Sequence, residues 1–130
     1  LFTFLFNSLS TAHASFKSRT YITPLENQLK QLHLEISNSL EQKHSIARCA
    51  KQLNISESYF QLIYKKLFGI SFQQDLILMR VTRARFNLST SNLSLSQIAE
   101  FCGYNNEVHF YRQFKKLTGV TPAQYRKHPF

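Results

Sequence analysis

The chain has 130 residues, 43% of them hydrophobic, and carries a formal net charge of +9. This apolar content excludes a disordered chain, and the length allows one modest core or two small cores that share a connecting helix. With only three glycines and three prolines, the turn residues of a sheet protein are scarce. We therefore predict an all-α fold.

The positive charge is concentrated in the C-terminal two thirds. Residues 44–130 contain twelve Lys and Arg against four Asp and Glu, whereas residues 1–43 contain four against three. Such an imbalance favours a polyanionic partner, which is either nucleic acid or an anionic membrane surface. No stretch approaches the roughly 18 apolar residues of a membrane-spanning helix.

Residues 1–24 are predicted to be the tail of an upstream domain followed by a linker. A secretory signal is rejected, because no basic region precedes the apolar run and polar residues interrupt it. The following stretch, up to Pro24, is rich in Ser and Thr and has little periodicity. Apolar residues with the spacing of one helix face occur at Phe2, Leu5, Phe6 and Leu9.

A second domain is predicted over residues 25–130, and it begins with a helix that runs to Leu40. This helix either covers the next unit or pairs with a partner helix, and we favour the first because such a stripe is more often core than a zipper seam. Its apolar residues are Leu25, Leu29, Leu32, Ile36 and Leu40.

An internal repeat follows this helix. The segment AKQLNISESYF leads to KKLFG, which ends at Gly69, and AEFCGYNNEVHF leads to KKLTG, which ends at Gly119. The two endings lie fifty residues apart. Each copy predicts a short helix, a tight turn and a longer helix, and so a helix-turn-helix unit, at about 45–69 and about 94–119.

Capping residues and apolar spacing support both units. Ser45 and Ser56 are placed to cap the helices of the first unit. In the second unit, Ser94 to Gln97 forms a capping-box pattern, Gly103 supplies a permissive turn residue, and Asn105 or Asn106 caps the last helix. The residues predicted to face inward are Phe60, Ile63, Tyr64 and Leu67 in the first unit and Phe110, Phe114 and Leu117 in the second.

A linker helix over about 72–88 is predicted between the units. Its apolar residues stand at 72, 76, 84 and 88, with arginines among them. At ~1.5 Å per residue it would span ~26 Å. With the widths of the two units, it can separate two recognition helices by about one DNA turn, or ~34 Å. Arg80 lies midway and is placed to brace the units.

Residues 44–127 resemble the AraC/XylS family of bacterial transcription activators. The likeness is densest in SLSQIAEFCGYNNEVHFYRQFKKLTGVTPAQYRK, which starts at Ser94. Two features depart from the family pattern. The opening helix of the first unit starts with Ile46-Ala47-Arg48, where the family usually has an acidic residue. Leu62 stands where the first recognition helix often has Arg.

The resemblance, together with the outward helix faces, implies the DNA-contacting residues. Gln61 can pair with adenine, Arg112 can pair with guanine or hold a phosphate, and Leu62 can touch a thymine methyl. The base-contacting set is Ser58, Gln61, Leu62, Glu107, Val108, Tyr111 and Arg112. The backbone-contacting set is Lys65, Lys66, His109, Lys115, Lys116 and Arg126.

We therefore expect a sequence-specific DNA-binding transcription regulator, an activator that places two recognition helices in successive major grooves. The expected partners are double-stranded DNA, RNA polymerase and, through an upstream domain, a second copy. The expected location is the cytoplasm, with Cys49 and Cys102 as unpaired thiols. No cofactor is expected, and no metal site, because no CxxC spacing occurs.

Three alternatives remain at this point. The chain could be a stand-alone regulator without a sensor domain, or a basic protein that binds membrane surfaces. It could also be an enzyme that carries this module, as in DNA alkyl-transfer proteins. We disfavour the enzyme, because such proteins need a reactive cysteine with metal-type neighbours and the chain shows none.

Overall fold

The computed structural model of the chain describes residues 23–130. Within this range the regular structure consists of seven α-helices, which confirms the all-α prediction. The predicted helical stripe at residues 2–9 and most of the predicted linker lie outside the described residues. The helices are α1 (Pro24–Ser37), α2 (Ile46–Gln52), α3 (Glu57–Phe68), α4 (Phe72–Thr90), α5 (Leu95–Phe101), α6 (Glu107–Thr118) and α7 (Pro122–Lys127).

Every one of these helices begins at a side chain that accepts a hydrogen bond from the backbone three residues later. Each such cap stabilises a helix by about 1 kcal/mol. Ser94 and Gln97 form the predicted capping box, and Asn106, not Asn105, caps α6. In chain order the caps are Thr23, Ser45, Ser56, Ser71, Ser94, Asn106 and Thr121.

The buried side chains form two cores, which share α4. The first core joins α1, α2, α3 and the start of α4, around the fully buried Phe60 and Tyr64. The second joins the rest of α4 to α5, α6 and α7, around the fully buried Phe110 and Phe114. The two predicted helix-turn-helix units are therefore present, each with its own core.

The linker helix α4 changes its buried side along its length. Phe72 and Leu76 enter the first core, whereas Ala84 and Leu88 enter the second. At about 100° per residue, the twelve positions from Phe72 to Ala84 turn the buried face by about 120°. All four predicted apolar positions are thus buried, but on different sides, because the two cores lie around different parts of the helix.

Three details of the sequence-based assignment were wrong. The first helix ends at Ser37, with Asn38 as its C-cap, and Leu40 is buried in the turn that follows. The six-residue helix α7 was not predicted, although Thr121 and Pro122 repeat the Thr-Pro start of α1. Leu117 was expected inside but is 49% exposed.

The two cysteines are free and buried, as predicted. Cys49 lies in the first core and Cys102 in the second, so they are not placed to pair. Burial raises the pKa of each thiol to about 11. Both thiols therefore remain protonated and poorly nucleophilic near neutral pH.

Candidate nucleic-acid interface

The second helix of each unit, α3 or α6, follows a tight turn with the same hydrogen bonds in both copies. In the first turn, the amide of Ile55 donates to the carbonyl oxygen of Ala50 at 3.0 Å. In the second turn, the amide of Tyr104 donates to the carbonyl oxygen of Ala99 at 2.9 Å. Both alanines are buried beside the turn, where a larger side chain would hold the two helices apart.

The outward face of α3 carries all the contact residues predicted for the first unit. Ser58, Gln61 and Lys65 are exposed, and the side chain of Leu62 is 66% exposed. These side chains border an open groove beside the start of α4. The groove is lined by Ile46, Ser58, Gln61, Leu62, Lys65, Lys66, Ser71, Phe72 and Gln73.

The groove includes Gln73, a residue that the sequence analysis did not select. Gln73 is exposed in the first turn of α4 and lines the groove together with Gln61. The repeat could have indicated that a helix starts here, because α4 begins three residues after Gly69, and α7 begins at the same distance from Gly119.

The outward face of α6 presents the contact residues predicted for the second unit. Glu107, His109, Arg112 and Lys115 are exposed, and Val108 is 60% exposed. Tyr111 is only half-buried. The structure therefore brings these predicted residues together on one helix surface.

Both recognition helices end in a pair of lysines next to a left-handed glycine. Lys65 and Lys66 precede Gly69 at φ +77°, and Lys115 and Lys116 precede Gly119 at φ +85°. Lysines in the last helical turn interact favourably with the helix dipole. All four side chains point into solvent and can reach a phosphate backbone.

Several arginines that add to the net charge are instead engaged within the fold. Arg83 donates to the carbonyl oxygen of Ser37 at 3.1 Å, and Arg85 to that of Phe130 at 2.8 Å. Arg126 donates to the carbonyl oxygens of Leu88 and Ser91, both at 3.3 Å, at the C-terminal end of α4. The guanidinium of Arg126 thus holds this helix end, and its contact with DNA stays a prediction.

Comparison with known proteins supports this reading of the two units. A family model described as a helix-turn-helix domain matches residues 49–128. The C-terminal domain of the two-component response regulator yesN from Fusobacterium nucleatum superposes with a TM-score of 0.73 at 32% identity, covering 77% of this chain and 98% of that chain. The DNA-binding domain of AdpA, a global transcriptional factor solved in complex with a target DNA, has a TM-score of 0.73 at 27% identity, covering 76% of this chain and 89% of that chain.

The chain belongs to the AraC/XylS family. It contains the DNA-binding domain of an AraC-family transcription regulator. The raffinose operon transcriptional regulatory protein RafR from Pediococcus pentosaceus is 39% identical over 75 residues, which cover 58% of this chain and 27% of RafR. Matched segments span between 12% and 37% of the length of curated AraC-type and related regulators.

A buried polar cluster supports the recognition helix of the first AraC-type unit. The Tyr64 hydroxyl on α3 donates to the Asp75 carboxylate on α4 at 2.6 Å, and His33 Nε2 on α1 lies 3.2 Å from the same oxygen. Burial alone would raise the pKa of Asp75, but the hydrogen bonds from His33 and Tyr64 lower it below its ordinary value. The cluster therefore ties three helices of the first unit together.

Two further findings concern the part of the chain that the structure describes. Between residues 23 and 130, no helix is both long and apolar enough to cross a membrane. No group of three or more His, Cys, Asp and Glu in that range is arranged to hold a metal ion.

Proposed function

We propose that this AraC-type domain binds promoter DNA by placing α3 and α6 in two successive major grooves on one face of the duplex. One observation carries this proposal: a single chain presents two equivalent recognition helices at opposite ends of α4. The nineteen residues of α4 give a helix of about 28 Å. That length, with the widths of the units, matches the distance of ~34 Å between successive turns of one groove.

The proposed roles of the contact residues follow from their chemistry and exposure. Gln61 and Arg112 form hydrogen bonds with base edges, and Leu62 and Val108 contact the methyl groups of thymines. The remaining members of the base-contacting set are Ser58, Glu107 and Tyr111. The backbone set, which grips phosphates, is Lys65, Lys66, His109, Lys115, Lys116 and Arg126. No catalytic role is proposed for any residue, because the family consists of transcription regulators.

Footprinting on a duplex selected from a random pool tests the groove geometry. Saturating monomer should protect roughly two turns of DNA. Protection of a single turn would overturn the proposal. Sedimentation with anionic vesicles provides the control, because a membrane-surface protein would bind the vesicles in preference to the duplex.

The proposal extends to activation of transcription through contact with RNA polymerase. Gln73 borders the groove beside α3, and Thr82 lies nine residues, or about 2.5 turns, further along α4 and so on its opposite side. Leu78 and Phe86, one turn before and after Thr82, are 47% and 63% exposed. This apolar strip faces away from the proposed DNA surface and is available to the polymerase.

Transcription in vitro tests this extension. Phe86→Ser should lower the transcript yield severalfold while leaving the affinity for DNA unchanged. Equal transcription by Phe86→Ser and the unmodified protein would contradict a polymerase contact at this strip.

Two further features belong to the same proposal. The protein acts in the cytoplasm, where bacterial promoter DNA lies. The curated relatives are longer than the matched segment, which covers 27% of RafR, and this leaves room for an upstream domain through which the protein dimerises. Equilibrium sedimentation of a longer form of the protein would test the dimer.

A further inference from the structure

The two units meet at a contact beside α4. Leu40, a member of the first core, presents its carbonyl oxygen to the turn of the second unit at Gly103. The guanidinium of Arg80 lies at this junction. Its Nη2 donates to the carbonyl oxygen of Gln42 at 3.3 Å and approaches that of Leu40 at 3.5 Å. The Cζ atom of Arg80 lies 6.0 Å from the centre of the Tyr104 ring, which belongs to the second unit.

The glycine in this turn shows how close the contact is. A Cβ on Gly103 would overlap the carbonyl oxygen of Leu40 and would lie 2.8 Å from Arg80 Nε. The equivalent residue in the first turn, Asn54, also has a positive φ, yet it is exposed and carries a side chain. Glycine is therefore required at 103 by the neighbouring unit as well as by its φ of +94°.

The position of Arg80 carries a cost in free energy. Burial lowers the pKa of Arg80 below its ordinary value, and its Nε is buried without a hydrogen-bond partner. A buried, unpaired polar atom destabilises a fold. Arg80 therefore occupies a costly position at the junction between the units.

A helix alone does not fix the angle between two bodies attached to its ends, because long helices bend. A contact that lies away from the helix axis resists such bending. Arg80 makes this contact between the loop after α1, in the first unit, and the turn before α6, in the second. Arg83 adds a second link, because it donates from α4 to the carbonyl oxygen of Ser37 at the end of α1.

We propose that Arg80 is a positioning residue that sets the angle between α3 and α6, and thereby the base-pair spacing that the domain accepts between its two half-sites. The inference rests on the proposed binding to two successive grooves. Each added base pair rotates one half-site against the other by about 34° and moves it by about 3.4 Å. A rigid junction should reject such a change, whereas a looser junction should tolerate it.

The test measures affinity for three duplexes: the selected site, and the same site with one base pair added or removed between the half-sites. The unmodified protein should lose about tenfold in affinity on the altered spacings, as the loss of one or two base contacts would give. Arg80→Gln should bind the selected site less tightly but lose only about threefold on the altered spacings.

Arg85→Gln is the matched control. Arg85 lies on the same helix and carries the same charge, but it donates to Tyr125 and Phe130 within the second unit. This variant should keep the tenfold penalty of the unmodified protein. If Arg80→Gln does not fold, Arg80→Lys replaces it, because it keeps the charge but loses the forked guanidinium.

The outcomes separate this inference from the proposed function. If the unmodified protein shows no two-groove footprint, the proposed function fails. If the footprint is present but Arg80→Gln or Arg80→Lys keeps the full spacing penalty, the positioning role fails. An equal loss of spacing preference in Arg85→Gln would also overturn it, since charge alone would then explain the effect.

Discussion

In the first unit, the Tyr64 hydroxyl donates to the carboxylate of Asp75 at 2.6 Å. Fifty residues later, the same two positions hold Phe114 and Tyr125, whose rings pack edge to face with their centres 5.7 Å apart. The backbones around the two pairs are alike, because both sit between a recognition helix and the capped helix that follows it. One fold thus accepts a polar link at this junction in one unit and an apolar link in the other.

The units also differ in what covers their recognition helices. In the first, α1 packs over α3, and Leu67 joins a core that includes Leu25 and Leu29. In the second unit, α4 precedes the helix-turn-helix pair as α1 does in the first, and its Val81, Ala84 and Leu88 enter the second core. The equivalent Leu117 is nevertheless 49% exposed. The repeat thus gives both units the same backbone, whereas the neighbouring side chains decide how far an equivalent residue is buried.

The largest effect should come from truncating the equivalent core phenylalanines, Phe60 and Phe110. Both are fully buried, so each change to alanine should lower the free energy of unfolding by about 3–5 kcal/mol. Because α4 enters both cores, urea should unfold either variant in one transition. Two separate transitions would show that the units unfold independently.

Asp75→Asn should reveal the polar link of the first unit. At pH 7 the free energy of unfolding of the variant should be lower by about 1.5–3 kcal/mol, since two hydrogen bonds to a charged carboxylate are weakened. The pKa of Asp75 is lowered in the folded state, below the ordinary value of 3.8. The stabilisation by the carboxylate is therefore present above pH 3.8 and is lost as the pH falls through the lower pKa of the folded state.

Urea unfolding of both proteins from pH 7 to pH 2 checks this sign. The difference in the free energy of unfolding between the unmodified protein and Asp75→Asn should be constant down to about pH 5 and should shrink at lower pH. Phe114→Leu is the control in the second unit, where the ring of Tyr125 and not a carboxylate occupies the position equivalent to Asp75, and its cost should not depend on pH in this range. A constant difference for Asp75→Asn down to pH 2 would contradict the assignment.

The sequence predicted six of the seven helices in the described residues, the caps of both helix-turn-helix units and most of both cores, because the repeat showed the same backbone twice. Leu117 was misplaced because helical spacing places it on the inner face, yet burial also needs neighbouring side chains. Leu67 packs against the first core, whereas Leu117 lies outside the second. Arg126 was assigned to the DNA backbone, and its contacts within the fold were missed, because its partners are backbone carbonyls at the end of α4, which no sequence pattern shows. The link between Tyr64, Asp75 and His33 depends on three helices meeting, and spacing along the chain does not predict that.

Gln61 and Lys116 should distinguish the reading of bases from the gripping of the backbone. Gln61→Ala should cost about 1–3 kcal/mol on the selected site and much less on random DNA, because it removes a base contact. Lys116→Ala should weaken both duplexes alike and lower the salt slope of binding by about one, because it removes a phosphate contact. Binding of each variant to both duplexes across a salt series checks the two roles. Equal losses for Gln61→Ala on both duplexes, or an unchanged slope for Lys116→Ala, would require α3 or α6 to sit differently in its groove.

The smallest effect should come from the apolar contacts of Leu62 on α3 and Val108 on α6, which are 66% and 60% exposed on faces assigned to DNA. Replacing a contacted thymine by deoxyuridine removes one methyl group and leaves base pairing intact, so it should cost about 0.8 kcal/mol. The measurement is a double-mutant cycle that combines Leu62→Ala with deoxyuridine in the half-site of the first unit. Leu62→Ala should bind the thymine duplex more weakly than the unmodified protein does. The variant should lose no further affinity when deoxyuridine replaces thymine, because its shortened side chain no longer contacts the methyl group. The same variant should still respond to deoxyuridine in the other half-site, where Val108 is intact. If the two changes in the first half-site were simply additive, Leu62 would not contact that methyl, and its exposure would need another explanation.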